Sequence, residues 1–308
     1  MATFFLLLYK IVPLYVLIGL GYLAGKKLNV KKETVAAVLV YIIAPVVVFH
    51  GTFKAELSLI TLSLPVVFFV ICSVLGLIFY LIGKRMWNDS TPNILGFMAG
   101  AGNTGYFGLP VVLSVLGNNT LSSAVFATLG VIFFENSLGF YLVAKGNHTG
   151  RESVKKLLRL PALYAFVFGV MANFAFSGLG SAYEEMAINF KAAYTILGMM
   201  IVGLGLVGMS RMKFDFKLLS ISLIAKFLAW PIIVALIIFM DMRYLHLYDE
   251  FIYKVMIIMS AVPLAANSVS FASLLKVYPE KAASAVFVST AFALIYIPIV
   301  VMFAFTWI

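Results

Sequence analysis

The sequence predicts an all-α membrane protein of ten transmembrane helices, arranged as two inverted five-helix repeats. Composition is the first reason. Of 308 residues, 63% are hydrophobic and 11% charged, whereas soluble domains are about half apolar and about a quarter charged. The mean hydropathy of +1.08 agrees. The second reason is the run of ten apolar segments of spanning length, at about residues 4–25, 33–52, 59–83, 93–116, 122–145, 158–178, 190–210, 216–241, 252–275 and 282–306. The third is a pair of matching interruptions. Met98-Ala-Gly-Ala-Gly-Asn103-Thr-Gly-Tyr-Phe-Gly-Leu-Pro110 breaks the fourth segment, and Met259-Ser-Ala-Val-Pro263-Leu-Ala-Ala-Asn267-Ser-Val-Ser270 breaks the ninth. The same tetrapeptide follows each break, as Ser123-Ala-Val-Phe126 and Ser284-Ala-Val-Phe287. Broken membrane helices at corresponding positions of two repeats mark the substrate site of secondary transporters, so the pattern implies a carrier.

The first segment lacks a basic leader and a small-residue cleavage site, which predicts a retained helix and not a signal peptide. In the third lies Cys72, the single cysteine, so no intramolecular disulfide is expected. After the fifth comes the longest polar stretch, the basic loop 145–156, which divides the chain into repeats 1–147 and 148–308. Five helices per repeat is an odd number, so the second copy must enter the membrane from the opposite side. Pro13 and Pro161 open the first and sixth segments. Five glycines in the fourth segment (Gly96, Gly100, Gly102, Gly105, Gly108) lower helix propensity. Pro110 and Pro263 each remove a donor, and the backbone is expected to unwind near them. Irregular backbone at this depth must be surrounded by protein or a water-filled cavity, which puts both breaks at the centre.

The net charge of +10 reflects orientation and not nucleic-acid binding. Sixteen of the twenty-two basic residues fall on one set of alternate loops; five fall on the other, beside Glu184, Glu185, Asp241, Asp249 and Glu250. The positive-inside rule then sets both termini outside. No cofactor is expected. The three histidines match no metal-ligand spacing, and H-E-x-x-H and G-x-S-x-G are absent, which argues against a membrane enzyme. Gly100-Ala-Gly-Asn-Thr-Gly105 fits the dinucleotide fingerprint only formally, because no strand precedes it.

At roughly 1.5 Å per residue, Asn103, Glu135, Lys226 and Asn267 each lie about 14 to 15 Å from the basic end of their segments, near the midplane. Lys226 and Glu135 are the charged residues deep inside segments. An intramembrane charge is a functional hypothesis by default. They either pair with each other or with freed carbonyls and hold the bundle together, or they act, with Asn136 beside Glu135, in binding or coupling. Asn103, Thr104, Asn267 and Ser268 either satisfy backbone freed by the breaks or, with half-helix N-termini, form a weakly positive cradle for an anion. Pro110 and Pro263 complete the candidate substrate-binding set.

The run Asn103-Thr-Gly-Tyr-Phe-Gly-Leu-Pro110, the second break with Pro263 and Asn267, the length and the five-plus-five layout resemble the auxin efflux carrier family in its short bacterial form. The resemblance implies a fold similar to bile-acid symporters and sodium/proton antiporters, with the fourth and ninth helices crossing at their breaks. It implies a transport domain of helices 3–5 and 8–10 moving in elevator fashion against a scaffold of helices 1, 2, 6 and 7. A homodimer through the scaffold in the bacterial inner membrane, and small organic acids such as malonate or malate, or auxin-like acids, as substrate, follow from the same likeness. One feature departs from a sodium-coupled carrier. Neither break contains Asp or Glu, whereas hard cations favour carboxylate oxygens, so facilitated or proton-linked transport ranks above a sodium-coupled bile-acid-type symporter. A transporter-derived sensor is the remaining alternative.

Overall fold

The computed structural model describes residues 2–55, 58–144, 161–176, 179–207 and 215–307; the basic loop 145–156 lies outside the described residues. Within them the chain is helical. Seven helices are long and apolar enough to cross a membrane. They are α1 (Ala2–Leu28), α2 (Lys32–Phe53), α3 (Leu59–Met86), α6 (Asn118–Ala144), α8 (Ser181–Gly205), α9 (Phe216–Leu245) and α12 (Pro279–Ala304). The remaining three expected segments differ in kind. The fourth is split into α4 (Thr91–Gly100) and α5 (Thr104–Leu116), and the ninth into α10 (Glu250–Ala261) and α11 (Asn267–Leu275). The sixth is α7 (Pro161–Ala175), 15 residues long. A span needs about 20 residues, so neither half of a broken segment crosses alone.

The helices are apolar on every side, as membrane spans are. On α3, Val66, Val70, Val74 and Ile78 point outward and are exposed, at the spacing of one helical face in contact with lipid. Leu64, Phe68, Ile71 and Leu75 fill the interior from the opposite face. Trp230 is fully buried, as expected of a core residue, and its Nε1 donates to Ala99 O at 2.8 Å. Asp241, which the charge pattern assigns to a loop, is instead a buried staple. It accepts from Tyr253 Oη at 2.6 Å and from the backbone N–H groups of Tyr248 and Leu247, which closes the turn after α9.

Close helix approach depends on missing side chains, because lipid supplies no hydrophobic drive for helices to associate. A Cβ on Gly203 of α8 would stand 1.9 Å from Ile18 O of α1, and one on Gly130 of α6 would stand 2.4 Å from Pro65 O of α3. Such backbone-to-backbone grips tie α1 to α8, and α3 to α4 and α6. Between those two groups the glycine approaches are looser. Gly51 against Val125, and Gly198 against Tyr106, leave 3.1 Å, and Gly105 against Tyr194 leaves 3.4 Å.

Overpacking at such a grip costs roughly 1 to 3 kcal/mol. Gly203→Ala is therefore expected to lower the melting temperature measurably, while Gly19→Ala, where a Cβ meets nothing within 4 Å, leaves it unchanged. Equal melting temperatures for both variants in a detergent-solubilised thermal scan would contradict the close α1–α8 approach.

Candidate substrate site at the paired helix breaks

The first break is made by small residues. After α4 ends at Gly100, Asn103 adopts φ −74°, ψ 57°, an inverse γ-turn, and Thr104 N–H donates to Gly102 O at 2.7 Å. The chain then re-enters helix through a π turn, Thr104–Gly108, closed by Gly108 N–H donating to Asn103 O at 2.9 Å. Pro110 lies inside α5, directly after the π turn Thr104–Gly108. A proline there removes an N–H donor and crowds the preceding turn, which fits the widened turn in front of it. In the second break Pro263 acts as expected. Val262, held extended ahead of the proline at ψ 154°, ends α10, and α11 begins at Asn267.

The two breaks satisfy each other. Asn103 N–H donates to Pro263 O at 2.9 Å, and Gly102 and Leu264 form an antiparallel bridge. Leu264 N–H donates in turn to Ser289 Oγ of α12 at 3.2 Å. An unpaired peptide group in hydrocarbon costs several kcal/mol, so this exchange holds the two irregular segments against each other at the protein's centre.

Beside the pairing lies a cavity of about 130 Å³. Asn103, Thr104, Glu135, Asn136 and Asn267 line it, and all belong to α5, α6 and α11 or the break before α5. The facing wall is Val40 and Ala44 of α2, Ala162 of α7 and Tyr194 of α8. Glu135, 5% exposed, accepts from Asn267 Nδ2 at 2.9 Å. Asn136 Nδ2 donates to Ile132 O at 2.9 Å. Asn103 Nδ2 is buried without a hydrogen-bond partner among the described residues. Glu135 opens a π turn, Glu135–Gly139, and Lys226 lies in another, Ala225–Ala229; such turns widen a helix and frequently accompany functional sites.

Four of the candidates, Pro110, Pro263, Ser268 and Lys226, do not line the cavity. Ser268 is buried, and its hydroxyl has no hydrogen-bond partner among the described residues. Lys226 and Glu135 do not pair, contrary to the structural reading of their shared depth. Lys226 Nζ is buried without a hydrogen-bond partner among the described residues, 4.1 Å from the Trp230 ring centroid. A Cβ on Gly102 would stand 2.6 Å from that Nζ, so the ammonium rests just past the carboxyl end of α4, where a helix dipole favours a cation. Tyr106 and Tyr194 line the cavity although the sequence did not single them out; an aromatic residue on an apolar helix reads as core. Tyr194 carries the one polar side chain of the facing wall named above.

Because the two charges are separate, a Lys226→Met and Glu135→Gln double-mutant cycle in thermal stability is expected to be additive within about 0.5 kcal/mol. A coupling of several kcal/mol, the size of a broken buried ion pair, would restore the pairing.

Comparison with known proteins gives the family. An uncharacterized transporter of Methanocaldococcus jannaschii is 27% identical over 296 residues, covering 92% of this chain and 94% of that protein. An uncharacterized transporter of Methanothermobacter thermautotrophicus is 30% identical over 170 residues, 53% of this chain and 56% of that one. The family model described as "Membrane transport protein" matches residues 6–301, nearly the whole chain. The chain therefore belongs to this membrane transport protein family, that of the auxin efflux carriers, and is a multi-pass membrane protein.

Proposed function

We propose that the chain is a secondary or facilitative transporter of small organic anions, with the substrate held at the paired breaks by Asn103, Thr104 and Asn267. The observation that carries this reading is the unpartnered, buried Nδ2 of Asn103 at the wall of a cavity shared with Asn267. A carboxylate oxygen accepts from such a donor, and a buried donor left unpaired costs about 1 to 3 kcal/mol. Size supports a small substrate. Pockets for drug-sized ligands run to roughly 300 to 1,000 Å³, so 130 Å³ suits a short carboxylic acid such as malonate or malate better than a sterol acid. Sodium coupling is disfavoured because the cavity carries one carboxylate, already bonded to Asn267, where a hard cation takes several oxygens.

The architecture in this proposal is ten spans in two inverted repeats, 1–147 and 148–308. The transport body is α3–α6 with α9–α12, the scaffold is α1, α2, α7 and α8, and two scaffolds meet in a homodimer. Both termini lie outside the bacterial inner membrane. The glycine pattern supports two bodies, since the backbone grips fall within each group and the looser approaches between them. Elevator motion needs such a boundary. The cavity lies on that boundary, with polar groups on the transport side and a mostly apolar wall opposite. Ser122 Oγ donates to Gly51 O at 2.6 Å, Ser114 Oγ to Lys10 O at 2.8 Å and Lys10 Nζ to Val115 O at 3.1 Å. These bonds join the bodies at the end far from the basic loops, which in this topology closes the outer side.

Uptake of labelled malonate and malate into proteoliposomes tests the reading. Saturable uptake by the wild type is expected, with Asn103→Ala and Asn267→Ala each weakening apparent affinity roughly tenfold, the equivalent of one lost hydrogen bond to a charged ligand. Uptake no greater than in protein-free liposomes across a panel of small carboxylates would overturn it.

A further inference from the structure

We propose that Glu135 is the proton carrier of the transport cycle, taking up one proton as an anion enters the cavity and releasing it as the anion leaves. The inference rests on the small-anion reading above and adds the coupling ion. Its basis is a conflict of charge in one small space. Glu135 lines the same cavity of about 130 Å³ as the donors Asn103, Thr104 and Asn267. Any carboxylate held by those donors therefore stands a few ångströms from the Glu135 carboxyl. Two carboxylates at that separation, shielded from water, do not both stay ionised.

No cation of the described residues bonds to Glu135. Glu135 has no Lys, Arg or His partner within 4 Å among them, and its hydrogen bond is to the neutral amide of Asn267. The titratable groups facing it from neighbouring elements are the Cys72 thiol of α3, Tyr106 of α5 and, across the cavity, Tyr194 of α8. None is a cation. Lys226 of α9 rests against Trp230 and behind Gly102, which lines the cavity; the lysine itself neither lines it nor bonds to Glu135. The wall contributed by α2 and α7 is apolar at Val40, Ala44 and Ala162.

A proton from water removes the conflict and gives Glu135 a new role. It bonds to one Glu135 oxygen; the other oxygen continues to accept from Asn267 Nδ2. The new O–H then donates to the substrate carboxylate, so a repelling group becomes a third kind of donor in the cradle. When the anion departs, the O–H bond breaks and the proton returns to water. The cycle carries one anion with one proton, and no other co-reactant is needed.

Calorimetric titration of the purified full-length protein with malonate, in two buffers of different ionisation enthalpy, counts the protons taken up. At pH values between the titration of free Glu135 and that of the anion-bound form, the wild type is expected to take up close to one proton per malonate, with affinity strengthening about tenfold for each pH unit of acidification across that window. Glu135→Gln, which keeps the amide-binding geometry and cannot ionise, is expected to bind with no proton uptake and with affinity independent of pH. Glu135→Asp retains the uptake at altered affinity. Wild-type binding without proton uptake overturns the inference even if the variants fail to fold, and so does undiminished uptake in Glu135→Gln, which would assign the proton to the substrate. Failure of malonate, malate and other short carboxylates to bind either wild type or Glu135→Gln at any pH overturns the anion reading itself, and with it this inference.

Discussion

The backbone exchange between the two breaks is the constraint on which the rest of the structure depends. A membrane interior offers no water to peptide groups left over when a helix is interrupted. Here the leftover N–H of Asn103 is answered by the leftover carbonyl of Pro263, and Gly102 faces Leu264. That solution dictates much of the surroundings. A side chain at residue 102 would displace Lys226 Nζ, which stands 2.6 Å from where a Cβ would lie, and Ser289 supplies the hydroxyl that accepts from Leu264 N–H. The helices packed about the pairing then need flat contact surfaces, which explains why Gly100 lies under the Phe134 ring and against Cys72 O.

The pairing also explains how a polar site can exist in so apolar a chain. Breaking a helix frees backbone groups, and side chains at the break face inward with them. Asn103 and Asn267 each follow an interruption directly, so the amides that could bind a ligand reach the same cavity from two different halves of the sequence. Neither half would form this site alone.

Much of this was legible from residues alone, for identifiable reasons. Composition and segment length report the solvent directly, and the Gly, Asn and Pro clusters mark the places where helix propensity fails, so both interruptions were found at their correct positions. Depth along a helix, however, fixes one coordinate of three. Lys226 and Glu135 share a depth yet face different neighbours, Trp230 and Asn267, because azimuth depends on packing that the sequence does not display. The same blindness hid Tyr194, whose ring reads as one more core aromatic, and Asp241, whose burial depends on Tyr253 from the following helix.

The cavity's two walls differ in a way that bears on alternating access. Its amide, hydroxyl and carboxyl groups come from the α5, α6 and α11 side, and the opposite wall offers Val40, Ala44, Ala162 and the single hydroxyl of Tyr194. If the two bodies slide past one another, the polar groups travel with the substrate and its hydrogen bonds persist through the movement. The facing wall need only exclude water, which apolar side chains do without holding any one position. Tyr194 is the exception, because a hydroxyl that meets the substrate in one position of the moving body loses it in the other. Affinity on the two sides of the membrane would then differ by the strength of that one contact, and the asymmetry would reside in the scaffold, leaving the site itself unchanged as it moves.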